Sequence, residues 1–171
     1  MLFIYRILIN LLILFSPLII LIRLIKKKED KNRFKEKLFI SSFNITRNKD
    51  KKLIWFHAAS IGEIKSIIPL IKKLNTNNKF EFLITSVTTS SAKLIVEQLS
   101  NEKNIIHRFF PIDKQNIAIK FLESWSPELI LFVDSEIWPN FLFEIKKRNI
   151  PLILLNGRIT KKNILKMEAH T

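Results

Sequence analysis

An apolar run ends in a small-residue turn and a carboxylate within the stretch Ile54-Trp55-Phe56-His57-Ala58-Ala59-Ser60-Ile61-Gly62-Glu63. The apolar half is typical of a strand that is covered on both faces, as in a parallel sheet. After Gly62 the apolar residues change to the spacing of an amphipathic helix, at positions Ile64, Ile67, Ile68, Ile71 and Leu74. We therefore expect a buried strand that delivers Glu63 to the carboxyl edge of a sheet, where open α/β folds bind ligands.

The same residues also have a purely structural interpretation. Ser60 and Glu63 fit a capping box, and the helix dipole favours an acidic side chain near the start of any helix. A second acidic run argues for function, because residues 129–133 are again apolar and lead directly into Asp134-Ser135-Glu136. Pro139 then suits the first turn of a helix. Two buried strands that both end in carboxylates predict one acidic site at the sheet edge.

The rest of the chain alternates between short apolar runs and amphipathic segments. The predicted strands are residues 53–57, 80–85, 105–110, 129–133 and 151–155, and the predicted helices are residues 63–74, 90–99, 114–123 and 139–148. This alternation predicts an α/β fold with a parallel, Rossmann-like sheet and helices on both faces. With 2 glycines in 171 residues the chain has no glycine-rich phosphate loop, so this domain is a poor candidate for a nucleotide site.

The N-terminal segment is dominated by Leu and Ile and is about long enough to cross a bilayer as one helix. Polar and helix-breaking residues interrupt it, namely Arg6, Asn10, Ser16, Pro17 and Arg23, and they leave an interfacial helix possible. A cleaved signal peptide is the main alternative. Seven basic residues follow between Lys26 and Lys37. Since positive charge marks the cytoplasmic side, we predict a membrane-anchor helix at residues 1–25, a basic linker at residues 26–52 and a cytoplasmic domain at residues 53–171.

The net charge of +14 makes a basic nucleic-acid-binding protein a rival hypothesis, which predicts strongly salt-dependent binding. No nucleic-acid-binding motif accompanies the charge, and its one cluster follows the apolar segment, where an anionic membrane surface suits it. The absence of cysteine excludes disulfides, thiolate metal sites and a cysteine nucleophile. The histidines, His57, His107 and His170, show no metal-ligand spacing, so we expect no metal or other cofactor.

Five motifs in order carry a family resemblance: HAASIGE, TSVT, FPID, DSEIWPN and NGRIT, at residues 57–63, 85–88, 110–113, 134–140 and 156–160. The chain resembles the N-terminal half of the bacterial 3-deoxy-D-manno-octulosonic acid (Kdo) transferases. This resemblance implies the N-terminal domain of a GT-B glycosyltransferase, which binds the lipid A precursor (lipid IVA) as acceptor. The predicted membrane anchor and the positive charge that follows it place this domain at the cytoplasmic face of the inner membrane. It also implies that the donor, CMP-Kdo, binds a C-terminal domain, which we expect to be missing from a truncated or split enzyme.

By the same resemblance, Glu63 is the general base that takes a proton from the acceptor hydroxyl, and Glu136 is the second catalytic carboxylate. Substrate-binding roles fall on Ser60, Gly62, Thr88, Trp138 and Arg158. Several of these have a structural alternative as a cap, turn or core residue.

The chain also departs from the family pattern. Asp134 and Ser135 stand where the family usually has Glu and Thr, and residues 89–91 are Thr-Ser-Ser in place of Pro-Thr-Gly. Shortening a carboxylate by one methylene moves its charge by about an ångström, enough to matter in a preorganised site. A non-catalytic, membrane-anchored acceptor-binding module or remnant is therefore the second hypothesis, and the isolated chain is predicted to be inactive.

Overall fold

The computed structural model of the chain describes residues 2–26, 28–38, 47, 50–76, 78–134 and 137–156. One parallel sheet contains β1 (Lys52–His57), β2 (Phe80–Ser86), β3 (Ile105–Phe109), β4 (Leu129–Val133) and β5 (Leu152–Leu155). The α-helices of this part of the chain are α1 (Leu2–Leu14), α2 (Ser16–Ile25), α3 (Ile61–Asn75), α4 (Thr89–Leu99), α5 (Gln115–Trp125) and α6 (Pro139–Lys147). Every predicted strand and helix of the domain is confirmed, and its ends differ from the prediction by no more than two residues.

The strand order β3-β2-β1-β4-β5 places the switch point of the sheet between β1 and β4. Along the chain, β2 and β3 add to one side of β1, and β4 and β5 then add to its other side. Connections leave the strands at a switch point in opposite directions, so a crevice opens at their carboxyl ends. His57 pairs with Phe132, which brings the end of β1 level with the end of β4. Both acidic runs of the sequence therefore follow strands that border this crevice.

Each face of the sheet has its own apolar core. Helices α3 and α4 pack on one face against Ile54 and Phe56, and helices α5 and α6 pack on the other against Leu53 and Trp55. This division follows from the alternation of side chains along a strand. Both faces of β1 are thus buried, as the continuous apolar run predicts.

Trp55 occupies the middle of the core beneath α5 and α6 and is fully buried. Its ring centroid lies between 4.9 and 6.1 Å from those of four phenylalanines, Phe110, Phe121, Phe132 and Phe141. Its indole N–H also donates a hydrogen bond to Thr85 Oγ1 at 2.9 Å. One side chain therefore joins β1, β2, β4 and both covering helices.

The segment that follows α2 packs against the edge strand β3 through charged groups, and part of it is the 3-10 helix Phe34–Leu38. Glu36 is buried and its Oε2 accepts the N–H of Phe109 at 2.8 Å, while Arg33 pairs with the same carboxylate at 2.7 Å. Lys37 pairs with buried Glu29 at 2.7 Å. Two members of the basic cluster thus neutralise buried carboxylates, and the segment covers a strand edge that would otherwise expose backbone groups.

His107 on β3 connects this segment to β2. Arg33 Nη2 lies 3.0 Å from His107 Nδ1, and this nitrogen must accept the bond because a guanidinium only donates. Nε2 then carries the ring proton and donates to Ser86 Oγ at 2.9 Å. Desolvation, with the charges of Arg33 and Arg108, lowers the pKa of His107 from 6.5 to about 3.

The neutral state of His107 predicts a loss of stability in mild acid. An unfolded histidine gains a proton near pH 6.5, whereas the folded group stays neutral down to about pH 3. The unfolded state binds more protons in this window, so the free energy of unfolding falls as the pH falls through it. We expect His107 to account for a loss of about 1–2 kcal/mol between pH 7 and pH 5.

Urea unfolding at the two pH values measures this loss. The H107Q variant keeps a polar side chain beside Ser86 and Arg33 but has no ring to protonate, so its stability should depend less on pH. The same decrease in both proteins would contradict the assignment to His107.

The apolar N-terminal segment forms two helices where the sequence predicts one. Helices α1 and α2 are bent by 53° at the break between them. Pro17 lies in the first turn of α2, and because it has no N–H it cannot continue the hydrogen-bond ladder of α1. Within the described ranges, neither helix alone is long and apolar enough to cross a membrane, but the bent pair together meets the length and composition criteria.

Candidate active site

The turn between β1 and α3 holds Glu63 at the start of α3, as the sequence predicts. Ser60 is the N-cap residue, and its Oγ accepts the N–H of Glu63 at 3.3 Å. The carboxylate folds back over the turn, where Oε2 accepts the N–H of Ala59 at 2.7 Å and Oε1 accepts the Ser60 hydroxyl at 2.6 Å. This reciprocal pattern is close to a capping box, so Ser60 and Glu63 do stabilise the start of the helix.

Capping leaves the carboxylate of Glu63 free to accept further hydrogen bonds. A carboxylate has about four lone-pair positions, and the bonds from Ala59 and Ser60 occupy two of them. The side chain is half-buried and follows β1, at the border of the switch point. The carboxylate is therefore fixed and keeps room for a hydrogen bond from a substrate hydroxyl, and its role as general base stays a prediction.

Gly62 is exposed in the first turn of α3. A Cβ atom at this position would meet only Ser60 Oγ, at 3.9 Å, which is an ordinary van der Waals distance. Its described neighbours therefore impose no steric need for glycine. The contact between Gly62 and substrate stays a prediction.

Thr88 caps helix α4, and through Ser91 this cap braces the turn that carries Glu63. Thr88 Oγ1 accepts the N–H of Ser91 at 3.1 Å. Ser91 is fully buried, and its hydroxyl donates to the carbonyl oxygen of Ala59 at 3.2 Å. Because Ala59 also donates its N–H to Glu63, the β2–α4 turn helps to position the carboxylate. Sequence reasoning noted Ser91 only as a departure from the family pattern and missed this contact, and the substrate role of Thr88 stays a prediction.

The second acidic run starts at Asp134, directly after β4. Asp134 and Asn156 follow neighbouring strands and have φ values of 57° and 55°, a left-handed conformation that Asp and Asn tolerate better than most residues. Asn156 Nδ2 donates to Asp134 Oδ1 at 3.1 Å. Glu136 and Arg158 lie outside the described residues, so their predicted roles, and the predicted approach of Glu136 to Glu63, stay predictions.

Trp138 packs as an extension of the aromatic core. Its ring centroid lies 5.0 Å from that of Phe110 and 6.3 Å from that of His57. The ring is half-buried, and its role as an apolar wall for the acceptor stays a prediction. His57 itself is fully buried, with Nδ1 at 2.9 Å from Thr85 Oγ1, which is the environment of a structural, hydrogen-bonded core residue.

Asp113 organises the start of α6, a role that sequence reasoning did not assign. This buried carboxylate accepts the N–H of Asn140 at 3.1 Å and the N–H of Phe141 at 3.0 Å. It replaces a local cap, because Trp138 at the N-cap position provides no side-chain hydrogen bond to the described residues. A helix start without a capping side chain is a sequence signal that the cap comes from elsewhere, but it does not identify the residue.

Comparison with known proteins decides the family. The family model for 3-deoxy-D-manno-octulosonic-acid transferase (kdotransferase) matches residues 32–170. The chain belongs to the Kdo transferase family. This result confirms the resemblance carried by the five motifs, and the matched region contains β1 to β5 with the turns that follow β1 and β4.

Three curated relatives illustrate the match. The 3-deoxy-D-manno-octulosonic acid transferase of Rickettsia bellii is 38% identical over 146 residues, which cover 85% of this chain and 34% of the relative. The enzyme of the same name from Rickettsia felis is 40% identical over 114 residues, which cover 66% of this chain and 24% of the relative. The probable mitochondrial 3-deoxy-D-manno-octulosonic acid transferase of Arabidopsis thaliana is 37% identical over 112 residues, which cover 65% of this chain and 25% of the relative. The chain thus matches from 24% to 34% of the length of these relatives.

Proposed function

We propose that this chain is the acceptor-activating part of a Kdo transferase, which transfers Kdo from CMP-Kdo to the lipid A precursor. Glu63 carries the proposal, because its carboxylate is fixed by Ala59 and Ser60 beside the switch point and keeps lone pairs for a substrate hydroxyl. Family membership supports the reaction class. The crevice between β1 and β4 is the position at which open α/β sheets bind ligands.

In the proposed reaction, a hydroxyl oxygen of the acceptor sugar attacks the anomeric carbon of Kdo. The bond between this carbon and the phosphate of CMP breaks, CMP leaves with the bonding electrons, and the hydroxyl proton moves to Glu63. A neutral sugar hydroxyl is a poor nucleophile, so a positioned base contributes roughly 10²–10⁴-fold. Glu136 is assigned to orient the acceptor or Glu63, and Ser60, Gly62, Thr88, Trp138 and Arg158 are assigned to acceptor contacts.

The proposal assigns CMP-Kdo to a separate, C-terminal domain of a GT-B enzyme. The turns that follow β1 and β4 contain carboxylates, Glu63 and Asp134, in place of the glycine-rich loop that binds phosphates in many Rossmann-like domains. Negative charge at this edge suits proton removal from a hydroxyl better than it suits a nucleotide phosphate.

We also propose that α1 and α2 hold the domain at the cytoplasmic face of the inner membrane. With 13 and 10 residues, the helices are about 20 and 15 Å long, whereas the hydrocarbon core is roughly 30 Å thick. The Tyr5 hydroxyl donates to Asp113 of the domain at 2.7 Å, which favours a bent pair in the interface over a helix that leaves the domain to span the bilayer. Protease added to spheroplasts should spare the domain, and its digestion from outside would refute this location.

A transfer assay with a fusion protein tests the proposed function. The full 171-residue chain is joined to the C-terminal part of the Rickettsia bellii relative and incubated with CMP-Kdo and lipid IVA. The product is measured by mass spectrometry. We expect transfer by the fusion and none by the 171-residue chain alone, because the donor carbon must be held close to the acceptor oxygen, which accounts for several kcal/mol of the barrier.

The unmodified Rickettsia bellii protein is the positive control. Turnover by the chain alone would refute the assignment of the donor to a second domain. A folded fusion that binds lipid IVA but transfers no Kdo would favour the second hypothesis, a non-catalytic acceptor-binding module.

A further inference from the structure

A cavity of about 250 Å³ lies between α1 and the start of α5. Two cations, three carboxamides and one apolar side chain line it, namely Arg6, Lys114, Asn10, Gln115, Asn116 and Ile9. Among the residues that the structure describes, no carboxylate belongs to this lining. The cavity is formed by α1 and α5, whereas Glu63 begins α3, which covers the opposite face of the sheet.

Arg6 is held in place but is not fully paired. Its Nε donates to Asn140 Oδ1 at 3.0 Å, and its guanidinium carbon lies 5.2 Å from the ring centroid of Phe143. Nη2 is buried and has no hydrogen-bond partner within the described part of the chain. The hydrogen bonding of the guanidinium is therefore incomplete, and because Arg6 also lines the cavity, an anion there would compensate its charge.

The neighbouring carboxylate of Asp113 is already occupied. Its Oδ1 accepts the N–H of Phe141, and its Oδ2 accepts both the Tyr5 hydroxyl and the N–H of Asn140. The carboxylate of Asp113 thus accepts its hydrogen bonds from α1 and from the start of α6. The positive charge of Arg6 and Lys114 in the cavity is therefore available to a ligand.

The surface of α1 indicates what kind of anion fits. The face of this helix that is turned away from the domain exposes large apolar side chains, namely Phe3, Ile4, Ile7, Leu8, Leu11 and Leu12. Phe3 and Ile7 lie one helical turn before Arg6 and Asn10, so the apolar face begins next to the cavity. An anion that carries acyl chains would place its charge between Arg6 and Lys114 and its chains along this apolar surface. A free phosphate ion would leave the surface in water.

We propose that this cavity binds the phosphate group of an anionic phospholipid, with Arg6 and Lys114 as its cationic contacts. The inference rests on the proposed membrane position of α1 but adds a lipid preference to it. Arginine and lysine both form charge-assisted hydrogen bonds to phosphate, and the carboxamides of Asn10 and Asn116 provide further donors.

Vesicle sedimentation with the full 171-residue chain tests the preference. Phosphatidylglycerol vesicles are compared with phosphatidylcholine vesicles, so that general membrane binding and selection of the anionic lipid are measured separately. In the R6Q/K114Q variant we expect affinity for phosphatidylglycerol vesicles to fall about 30-fold, because each basic residue near an anionic surface contributes about a factor of five. Affinity for phosphatidylcholine vesicles should not change.

The matched control is K120Q/K147Q, which removes two exposed positive charges from α5 and α6 outside the cavity. The R6K/K114R variant keeps both charges in the cavity and should bind like the unmodified chain. Circular dichroism melting shows whether each variant is folded. Equal losses in R6Q/K114Q and K120Q/K147Q would mean that only bulk charge matters and would overturn the site.

Two further results separate the alternatives. If calorimetry detects inorganic phosphate binding that R6Q/K114Q abolishes, while vesicle binding is unchanged, the cavity takes free phosphate and the lipid assignment is wrong. If the chain binds neither type of vesicle, the membrane position of α1 is wrong. The transfer assay of the fusion protein with dispersed lipid IVA would still test the proposed reaction in that case.

Discussion

Replacing Trp55 with Ala is expected to lower the free energy of unfolding by about 3–5 kcal/mol, which is the cost of removing a large aromatic side chain from a packed core. The indole is fully buried and contacts aromatic residues from α5, β4 and α6, so no single neighbour can fill the space. The change also removes the donor to Thr85 Oγ1. Urea unfolding of the two proteins measures the loss.

Val96→Ala is the surface control, because Val96 is 56% exposed on α4. It should change the free energy of unfolding by less than about 0.5 kcal/mol. Trp55→Phe should fall between the two, since it keeps most ring contacts and loses the hydrogen bond to Thr85. A loss below about 1 kcal/mol for Trp55→Ala would contradict the central place of Trp55 in the core beneath α5 and α6.

Replacing Glu63 with Gln in the fusion protein is expected to lower the rate of Kdo transfer by about 10²–10⁴-fold. The glutamine side chain has nearly the same shape and keeps a carbonyl oxygen for the N–H of Ala59, so helix α3 should still start at the same residue. It cannot take the proton of the acceptor hydroxyl. Transfer is measured at saturating lipid IVA, so that the measured rate reports kcat and weaker acceptor binding cannot cause the loss.

Two further variants test whether the loss of activity comes from the missing base. Glu63→Asp keeps a carboxylate but moves it, and it should retain more activity than Glu63→Gln. Glu97→Gln removes an exposed carboxylate from α4 and should leave the rate unchanged. Unchanged transfer by a folded Glu63→Gln protein would eliminate Glu63 as the base and leave it only its capping role.

The elements of the domain are predictable because their signals are local. The apolar run before His57, the change of period after Gly62 and the proline at the start of α6 each act within one or two turns of chain. The position of Glu63 follows from the same signals, since a carboxylate after a buried parallel strand lies at the carboxyl edge of the sheet. The boundaries found for β1 and α3 agree with this reasoning.

Contacts between distant parts of the chain are not predictable in this way. Asp113 caps α6 although it lies 27 residues before Asn140 in the sequence. Glu36 accepts the N–H of Phe109, which lies 73 residues after it. Neither pairing has a periodic signature, so the charged segment after α2 looks like a linker in the sequence although it covers a strand edge. The buried hydroxyl of Ser91 likewise acquires its role only when β1 and β2 lie side by side.

The central claim is that the acceptor binds at the carboxyl edge between β1 and β4. Hydrogen–deuterium exchange of the 171-residue chain in mixed micelles tests it most directly, with lipid IVA compared against phosphatidylglycerol to remove effects shared by all anionic lipids. The account predicts protection specific to lipid IVA in residues 58–63 and 134–140, which follow these two strands. Protection confined to α1 and α2, or equal protection by both lipids, would contradict it.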